Sequence, residues 1–354
     1  MTKRRFALAL AAAFAATTLL GCEGAQDALL KRVVTRLAVP RTEIYADDAM
    51  RVLICGSGSP LPHPTRARPC TAVFAAGKMW VVDVGPGSWN HVGGWRIPAD
   101  RIGAVLITHF HSDHIGELGE WNMQSWVAGR AAPLSVIGPE GVQRVVAGFS
   151  EAYALDVVYR AAHHGADFNV PALAGMEAAP IAFAAGATSA VVHDEGGLRI
   201  TAFLVEHAPI SPAVGYRFDW RGRSVVVSGD TVKSANLIAV AKDADVLVHE
   251  AQANHLVALL GEAAGKQRPR VAKLMGDIPS YHTTPVQAAE VANEAKVKLL
   301  VLSHLTPSPP NALVARIFVR GVDAVRPNGW VMADDGMLFT LPADSDAIEQ
   351  SEIE

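Results

Sequence analysis

Residues 108–114 constrain this chain more than any other part of it. Three histidines and one aspartate lie within six residues, directly after the apolar run 104–107, which reads as a strand buried on both faces. Neutral imidazole and carboxylate groups are the ligands that zinc and similar divalent ions prefer. Side chains one and two positions apart project in different directions, so one tetrahedral site could not easily use all four, whereas two adjacent metals can. A polar loop with chance histidines is the competing interpretation. The residues are His109, His111, Asp113 and His114.

Short apolar runs closed by Gly or Pro predict strands over much of the remaining chain. They alternate with helical patterns after an initial third rich in strands, which favours a layered α/β domain over an all-β sandwich. Three further polar residues each follow such a strand, namely His207, Asp230 and His304. The predicted strands are 51–54, 71–74, 79–82, 104–107, 134–137, 198–206, 213–218, 224–228, 246–249 and 298–303, and the predicted helices are 116–127, 235–241 and 285–295.

The segment from His109 to His114 matches every position of the His-x-His-x-Asp-His motif, and the chain resembles the metallo-β-lactamase superfamily over roughly residues 51–340. The resemblance implies an α/β fold, the αββα four-layer sandwich, that binds two Zn²⁺ ions, with Mn²⁺ or Fe also accepted by such ligands. It assigns His109, His111 and His207 to the first metal and Asp113, His114 and His304 to the second, with Asp230 as the bridge. Taken singly, His207, Asp230 and His304 would also suit capping or surface positions.

Two carboxylates are predicted to act on histidines. Asp83 matches the family's Asp-x-Gly turn, where it would orient a metal ligand rather than bind metal, although a plain turn aspartate is the alternative. Glu250 follows a strand and His282 opens a helix, which resembles the branch that contains ribonuclease Z, arylsulfatases and phosphodiesterases. In that branch the Glu orients a His that protonates the leaving oxygen. The alternative is that residues 282–284 only cap the helix.

The Gly-rich segment 56–60, with Arg66 and Arg68 beyond it, resembles the same branch's first loop. The resemblance implies backbone amides and an arginine near an anionic substrate.

The predicted function is an exported hydrolase of small phosphodiesters or sulfate esters. A hydroxide held between the metals and oriented by Asp113 and Asp230 would attack, and His282 would be the general acid. The alternatives are a lactamase or lactonase, which needs no general acid, and a ribonuclease Z-like nuclease. A non-catalytic metal-binding lipoprotein is the remaining alternative.

The first residues predict export. Lys3, Arg4 and Arg5 precede an apolar run that is too short for a comfortable membrane span, and the run ends in a Leu-Leu-Gly-Cys sequence that resembles a bacterial lipobox. An ordinary signal peptide is the alternative. We therefore expect a periplasmic lipoprotein attached to the membrane through lipidated Cys22.

The charge balance bears on the partners. Without residues 1–21 the chain has 28 cationic and 35 acidic side chains, which changes the net charge from −4 to −7 and argues against a nucleic-acid partner. Transfer-RNA processing is therefore disfavoured, and a small anionic ester is the expected substrate. A homodimer is compatible with the sequence.

The predicted layout has four parts. A signal peptide (1–21) and a linker (22–50) precede one hydrolase domain (51–342), which contains a helix followed by a lid-like excursion near 150–190. An acidic tail (343–354), which we expect to be loose, follows the domain. Cys55 and Cys70 could form a disulfide in an oxidising compartment or stay buried thiols, because spacing cannot supply the geometry.

Overall fold

The structure is a computed structural model that describes residues 23–353. The predicted signal peptide and Cys22 therefore lie outside the described residues. The chain divides at residue 41 into two units. The described part of the first unit holds helix α1 (Glu23–Leu37), which lies inside the segment expected to be a linker. Within residues 23–353 no helix combines the length and the apolar character needed to cross a membrane.

Two mixed sheets form the centre of the second unit, which begins at Thr42. The first has the strand order β15-β14-β1-β2-β3-β4-β5-β6, and the second has the order β13-β12-β11-β10-β9-β8-β7. The strands of the first sheet are β1 (Ala49–Gly56), β2 (Cys70–Ala75), β3 (Lys78–Val82), β4 (Ile102–Leu106), β5 (Leu134–Gly138), β6 (Met176–Pro180), β14 (Met337–Pro342) and β15 (Glu349–Glu352). Those of the second are β7 (Ser189–Glu195), β8 (Leu198–His207), β9 (Ile210–Trp220), β10 (Arg223–Val227), β11 (Val246–Gln252), β12 (Leu299–Thr306) and β13 (Trp330–Met332).

Helices cover the outer face of each sheet. The helices of the second unit are α2 (Ser88–Gly94), α3 (Ser112–Ile115), α4 (Leu118–Val127), α5 (Val142–His164), α6 (Ala235–Val240), α7 (Asn254–Ala264), α8 (Pro269–Asp277), α9 (Pro285–Glu294), α10 (Ala312–Phe318) and α11 (Val322–Val325).

Three apolar cores define the layers. Alternate residues of β1 point to opposite faces, so Val52 and Ile54 enter the core between the sheets while Leu53 packs on the outer side. Trp121 of α4 fills the outer core of the first sheet, and Ala288 of α9 belongs to the outer core of the second. This arrangement of helix, sheet, sheet and helix confirms the predicted αββα sandwich, and it buries both faces of the central strands.

Two predicted segments differ from the structure. Residues 150–190 begin with the expected helix, since α5 continues to His164, but the segment after it also contains β6, which pairs in parallel with β5. This segment packs on α4, where Trp126 Nε1 donates to Val170 O at 2.9 Å. The acidic tail is not loose either, because β15 pairs antiparallel with β14 and Ile353 is buried. Neither segment shows a sustained hydrophobic period, and the order of its strand comes from backbone pairing at the edge of the sheet.

The structure also decides the state of the two cysteines. Cys55 at the end of β1 and Cys70 at the start of β2 form a disulfide, with Cα atoms 5.0 Å apart. Both residues are buried in the outer core of the first sheet. The antiparallel pairing of β1 with β2 brings them together, which the spacing alone could not establish.

Candidate metal centre

The seven predicted metal ligands lie at the ends of strands, in the turns that follow them or on the short helix α3. His109 comes soon after β4, and His111 precedes α3, which carries Asp113 and His114. The remaining three side chains come from the second sheet, where His207 ends β8, Asp230 follows β10 and His304 lies in β12. The two sheets therefore meet at one edge, where these polar groups are buried except for His111.

The potential ligands form two main groups. His109, His111, His207 and Asp230 form one, and Asp113, His114 and His304 form the other; within each group the ligand atoms lie within 4.8 Å of one another. Asp230 reaches both, because its Oδ2 lies 3.8 Å from His109 Nε2 and its Oδ1 lies 3.4 Å from His304 Nε2. The structure thus brings together all seven residues, with one carboxylate between the two groups.

The ligand atoms of the cluster are arranged for binding cations and leave several of their own hydrogen-bonding positions unused. Five buried ligand atoms have no hydrogen-bond partner within residues 23–353, namely His114 Nε2, His207 Nε2, His304 Nε2, Asp113 Oδ2 and Asp230 Oδ1. Buried polar atoms are normally satisfied, so five such atoms converging at one place indicate a site built for cations. These buried clusters are consistent with a dinuclear metal site, and their imidazole and carboxylate chemistry accepts several divalent ions.

The pKa shifts of most of these side chains favour the protonation state that binds metal, and that of His114 does not. Burial lowers the pKa of His109 and of His207, which favours the neutral imidazole that binds metal. Burial alone would raise the pKa of Asp230, but His304 and His114 hold it well below its usual value. Burial would also lower the pKa of His114, yet nearby carboxylates, led by Asp230, raise it well above its usual value. Cations bound beside His114 would oppose that increase, because they neutralise the same carboxylates.

Asp83 lies behind the cluster and holds one of its histidines. His114 Nδ1 donates to Asp83 Oδ2 at 2.7 Å, and the backbone N–H of Thr108 donates to Asp83 Oδ1 at 2.9 Å. This contact fixes the ring so that Nε2 faces the cluster. The geometry corresponds to an aspartate that orients a ligand and also anchors the turn after β4.

Glu250 and His282 form a buried pair next to the cluster. His282 Nδ1 donates to Glu250 Oε1 at 2.8 Å, and the same oxygen accepts the N–H of Thr231 at 3.0 Å. Burial would lower the pKa of His282, but Glu250 and Asp230 raise it to about 9. The His282 ring lies 5.6 Å from that of His304, measured between centroids, so its free nitrogen is beside the cluster. His282 also forms a third potential ligand group with Asp230 and His304.

Within residues 282–284, one residue caps the helix and another has a different contact. Thr284 caps α9 in a capping box with Gln287, while His282 is occupied by Glu250. The short segment therefore starts the helix and also presents the imidazole, and the two interpretations are compatible.

One of the two arginines expected beside the Gly-rich loop, Arg66, contacts the loop itself. Arg66 donates to Ser57 Oγ and to Ala333 O, so its guanidinium holds the loop instead of standing ready for a substrate. Asp335 accepts hydrogen bonds from the N–H groups of Ser57 and Ala67. The carbonyl of Ser57 then accepts the N–H of Leu305, next to His304, at 2.9 Å. Asp335 was not predicted, although it lies just after the apolar run 330–333, because its contact with Ser57 joins residues 278 positions apart in the chain.

Comparisons with known proteins agree with this geometry. Residues 81–305 match the family described as the beta-lactamase superfamily domain. The chain is 36% identical over 262 residues to a protein named ribonuclease Z from Mycobacterium avium (strain 104), covering 73% of this chain and 87% of that one. A ribonuclease Z from Mycolicibacterium gilvum (strain PYR-GCK) is also 36% identical over 262 residues, covering 73% of this chain and 85% of that one.

Solved structures share the fold at lower identity. Human tRNase Z, short form, superposes with a TM-score of 0.58 at 20% identity, covering 82% of this chain and 99% of that one. The metallo-beta-lactamase fold protein YhfI from Bacillus subtilis gives a TM-score of 0.58 at 19% identity, covering 83% of this chain and all of that one. With the family match, the relatives and the buried His/Asp clusters together, the chain belongs to the metallo-β-lactamase superfamily, is related to ribonuclease Z, and is a metal-dependent hydrolase.

Proposed function

We propose that this hydrolase is a phosphodiesterase of the ribonuclease Z type, with an RNA strand as its substrate. The observation that carries the proposal is the Glu250–His282 pair beside the buried clusters. The curated relatives named ribonuclease Z, which match 73% of the chain, support the nuclease alternative over the small ester favoured by charge and export alone.

The pair suits a reaction in which a poor leaving group departs. A ribose alkoxide needs a proton as its bond to phosphorus breaks, and a positioned general acid contributes about 10²–10⁴-fold to such a step. His282 holds its proton-bearing Nδ1 on Glu250 and keeps the opposite nitrogen, Nε2, for the leaving oxygen. Glu250 therefore sets the orientation of the ring and stabilises its cationic form.

The remaining polar groups bind and orient. Two divalent cations held by the two groups would act as Lewis acids on a phosphoryl oxygen. Asp113 and Asp230 direct oxygens into the space between the groups, where they would accept a proton or orient a water molecule. Asp83 and the carbonyl of Tyr281 keep His114 and His207 in fixed orientations, which reduces the reorganisation required during reaction.

Two other ester and amide chemistries are less well supported. A lactam or lactone hydrolase needs no general acid, so it gives no reason for the buried Glu250–His282 pair. Sulfate ester hydrolysis would use the pair, but the relatives that support the nuclease do not carry that name.

A substrate panel tests the proposal. The metal-loaded chain is assayed on an oligoribonucleotide, a precursor tRNA, bis(4-nitrophenyl) phosphate, 4-nitrophenyl sulfate and a cephalosporin. We expect turnover of the oligoribonucleotide and of the aryl phosphodiester. Turnover of the sulfate or the cephalosporin without either phosphodiester would refute the assignment.

We also propose that the chain is exported and lipidated at Cys22. Support comes from the cationic start, the apolar run, the lipobox-like sequence and the Cys55–Cys70 disulfide, which is typical of oxidising compartments. Export would bring the enzyme to RNA outside the cytoplasm and away from precursor tRNA.

Cell fractionation tests the location. The full chain should sediment with membranes and incorporate labelled palmitate, and Cys22→Ala should abolish the label. A chain that stays in the cytoplasmic fraction without label would disprove both export and lipidation.

A further inference from the structure

Helices α7 and α8 form a hairpin that sequence patterns did not reveal. It occupies the chain between Glu250 and His282, and Val257, Met275 and Ile278 form its own small apolar core. We call residues 254–277 the α7–α8 hairpin. Its position between the two members of the proposed acid pair places it next to the site.

A cavity of about 630 Å³ joins the hairpin to the cluster. His111 and His207 line one side of the cavity, and Leu274 and Asp277 of α8 line another. Tyr281 contributes to the same wall, and its carbonyl accepts His207 Nδ1 at 2.9 Å. A substrate that reaches the metal ligands through this cavity must pass along α8.

The hairpin concentrates positive charge in an otherwise acidic chain. Lys266, Arg268, Arg270 and Lys273 are all exposed and lie within eight residues, while the whole chain has a net charge of −4. Lys273 pairs with Asp277 at 2.8 Å. For the other three cations, no carboxylate among residues 23–353 lies within ion-pair distance. They are therefore available to an anion from solution.

Two of these cations lie on the face of α8 that lines the cavity. Arg270 precedes Leu274 by one turn, and Lys273 precedes Asp277 by one turn. Residues four apart share a face of an α-helix, so both cations continue the cavity-lining face of α8. The anion-binding surface and the cavity are thus parts of one path.

We propose that the turn before α8 and the cavity face of α8 bind the phosphates that flank the scissile one in an RNA strand. This inference rests on the proposed function and adds a binding surface to it. A membrane interface is less well supported, because such helices combine cations and large apolar residues on one element. Here α8 has one exposed large apolar residue beside its cations, Leu274, and that residue lines the cavity, while the exposed Leu259 and Leu260 lie on α7.

Binding of a labelled oligoribonucleotide tests the surface without requiring cleavage. The full-length variant Lys266→Gln/Arg268→Gln/Arg270→Gln is compared with the parent by fluorescence anisotropy, using a phosphorothioate strand. We expect the Kd of the variant for RNA to rise about tenfold or more at low salt. The slope of log(association constant) against log(salt concentration) should become less negative by about 2, because three phosphate contacts are lost. The control Lys242→Gln/Arg316→Gln/Arg320→Gln removes equal charge from exposed positions elsewhere and should bind as tightly as the parent.

Two further measurements separate the possible failures. Turnover of bis(4-nitrophenyl) phosphate should be equal in the parent and both variants, because that substrate has no flanking phosphate; absence of turnover in the parent counts against the proposed function alone. Equal RNA affinity of the parent and the hairpin variant would overturn the inference. The inference would also be overturned if the hairpin variant lost binding to phosphatidylglycerol vesicles but kept the RNA affinity of the parent. That result would assign the hairpin to a membrane.

Discussion

At the residue scale, neighbouring groups hold the histidine rings of the site in the orientation that a metal ligand needs. Each histidine that faces the cluster through Nε2 has a partner at Nδ1 or a position fixed by its backbone: Asp83 holds His114, and the carbonyl of Tyr281 holds His207. His304 is held by its backbone, with φ of 46°, and the Ser57 carbonyl binds the next N–H. Orientation of the ligands is therefore built into the turns.

Removing the proposed acid should affect substrates unequally. His282→Ala is expected to slow cleavage of an oligoribonucleotide about 10²–10⁴-fold, since the alkoxide must leave without a proton. Cleavage of bis(4-nitrophenyl) phosphate should slow far less, because nitrophenolate is a good leaving group. Steady-state kinetics with metal content measured in parallel checks this. The exposed His163→Ala serves as the control. Equal losses on both substrates would contradict the acid role and favour a ligand role for His282.

Asp83 should control metal affinity. Asp83→Asn keeps the shape of the side chain but removes the charge that holds His114, and loss of such a partner typically costs about 10–100-fold in affinity. Competition with a chromophoric chelator measures the change. Asp245→Asn alters a buried carboxylate paired with Arg223 on another part of the fold, and should leave metal affinity unchanged. If Asp83→Asn binds metal as tightly as the parent, Asp83 only stabilises the turn and does not act on the metal ligand His114.

At the element scale, strand ends were predictable and edge elements were not. The strand ending at residue 107, and the strands before His207, Asp230 and His304, carry unbroken apolar runs, so their positions followed from hydropathy. The α7–α8 hairpin was not predicted, although it holds the apolar run 256–260, because its core residues are spread over two short helices interrupted by glycines and a proline. Likewise β6 and β15 are ordered by pairing at sheet edges, which no local pattern reports.

The cap of α9 links an element to the chemistry. Thr284→Ala removes the capping box and should cost about 1 kcal/mol of stability, and it should also reduce RNA turnover because His282 lies two residues before the cap. Asn311→Ala removes the cap of α10 and should cost a similar amount without affecting turnover. Chemical denaturation and kinetics on both variants test this. Equal turnover in the two variants would show that the cap does not position His282.

At the scale of the whole molecule, one buried ion pair joins the second sheet to the end of the chain. Arg223 Nε lies 3.1 Å from Asp245 Oδ2, and both side chains are buried. Arg223 also donates to Pro342 O at 2.9 Å and to Ala347 O at 3.0 Å. The segment expected to be loose is therefore tied to β10.

The stability that this pair contributes should depend on pH. Burial would raise the pKa of Asp245, but hydrogen bonds from Arg223 and Lys298 lower it below its usual value. The folded state therefore gains stability above the unfolded pKa of about 3.9 and loses it as the pH falls through the lower folded value. Asp245→Asn should cost about 3–5 kcal/mol at pH 7 and less near pH 3.

Urea unfolding at both pH values measures the difference. Asp346→Asn is the control, because Asp346 is 96% exposed and, within residues 23–353, forms its ion pair with Lys298, so its loss should change the free energy of unfolding far less than the loss of Asp245. A loss in Asp245→Asn that is the same at pH 7 and pH 3 would contradict the assigned role of the charge.

The sequence by itself determined the fold class, the seven potential ligands and the Glu250–His282 pair, because strand hydropathy and a dense motif are local signals. Only the tertiary structure decided the Cys55–Cys70 bond, the anchoring of the Gly-rich loop by Asp335 and the place of the α7–α8 hairpin at the cavity. These features join residues far apart in the chain, and contacts of that kind arise when two sheets pack, so no single segment carries them.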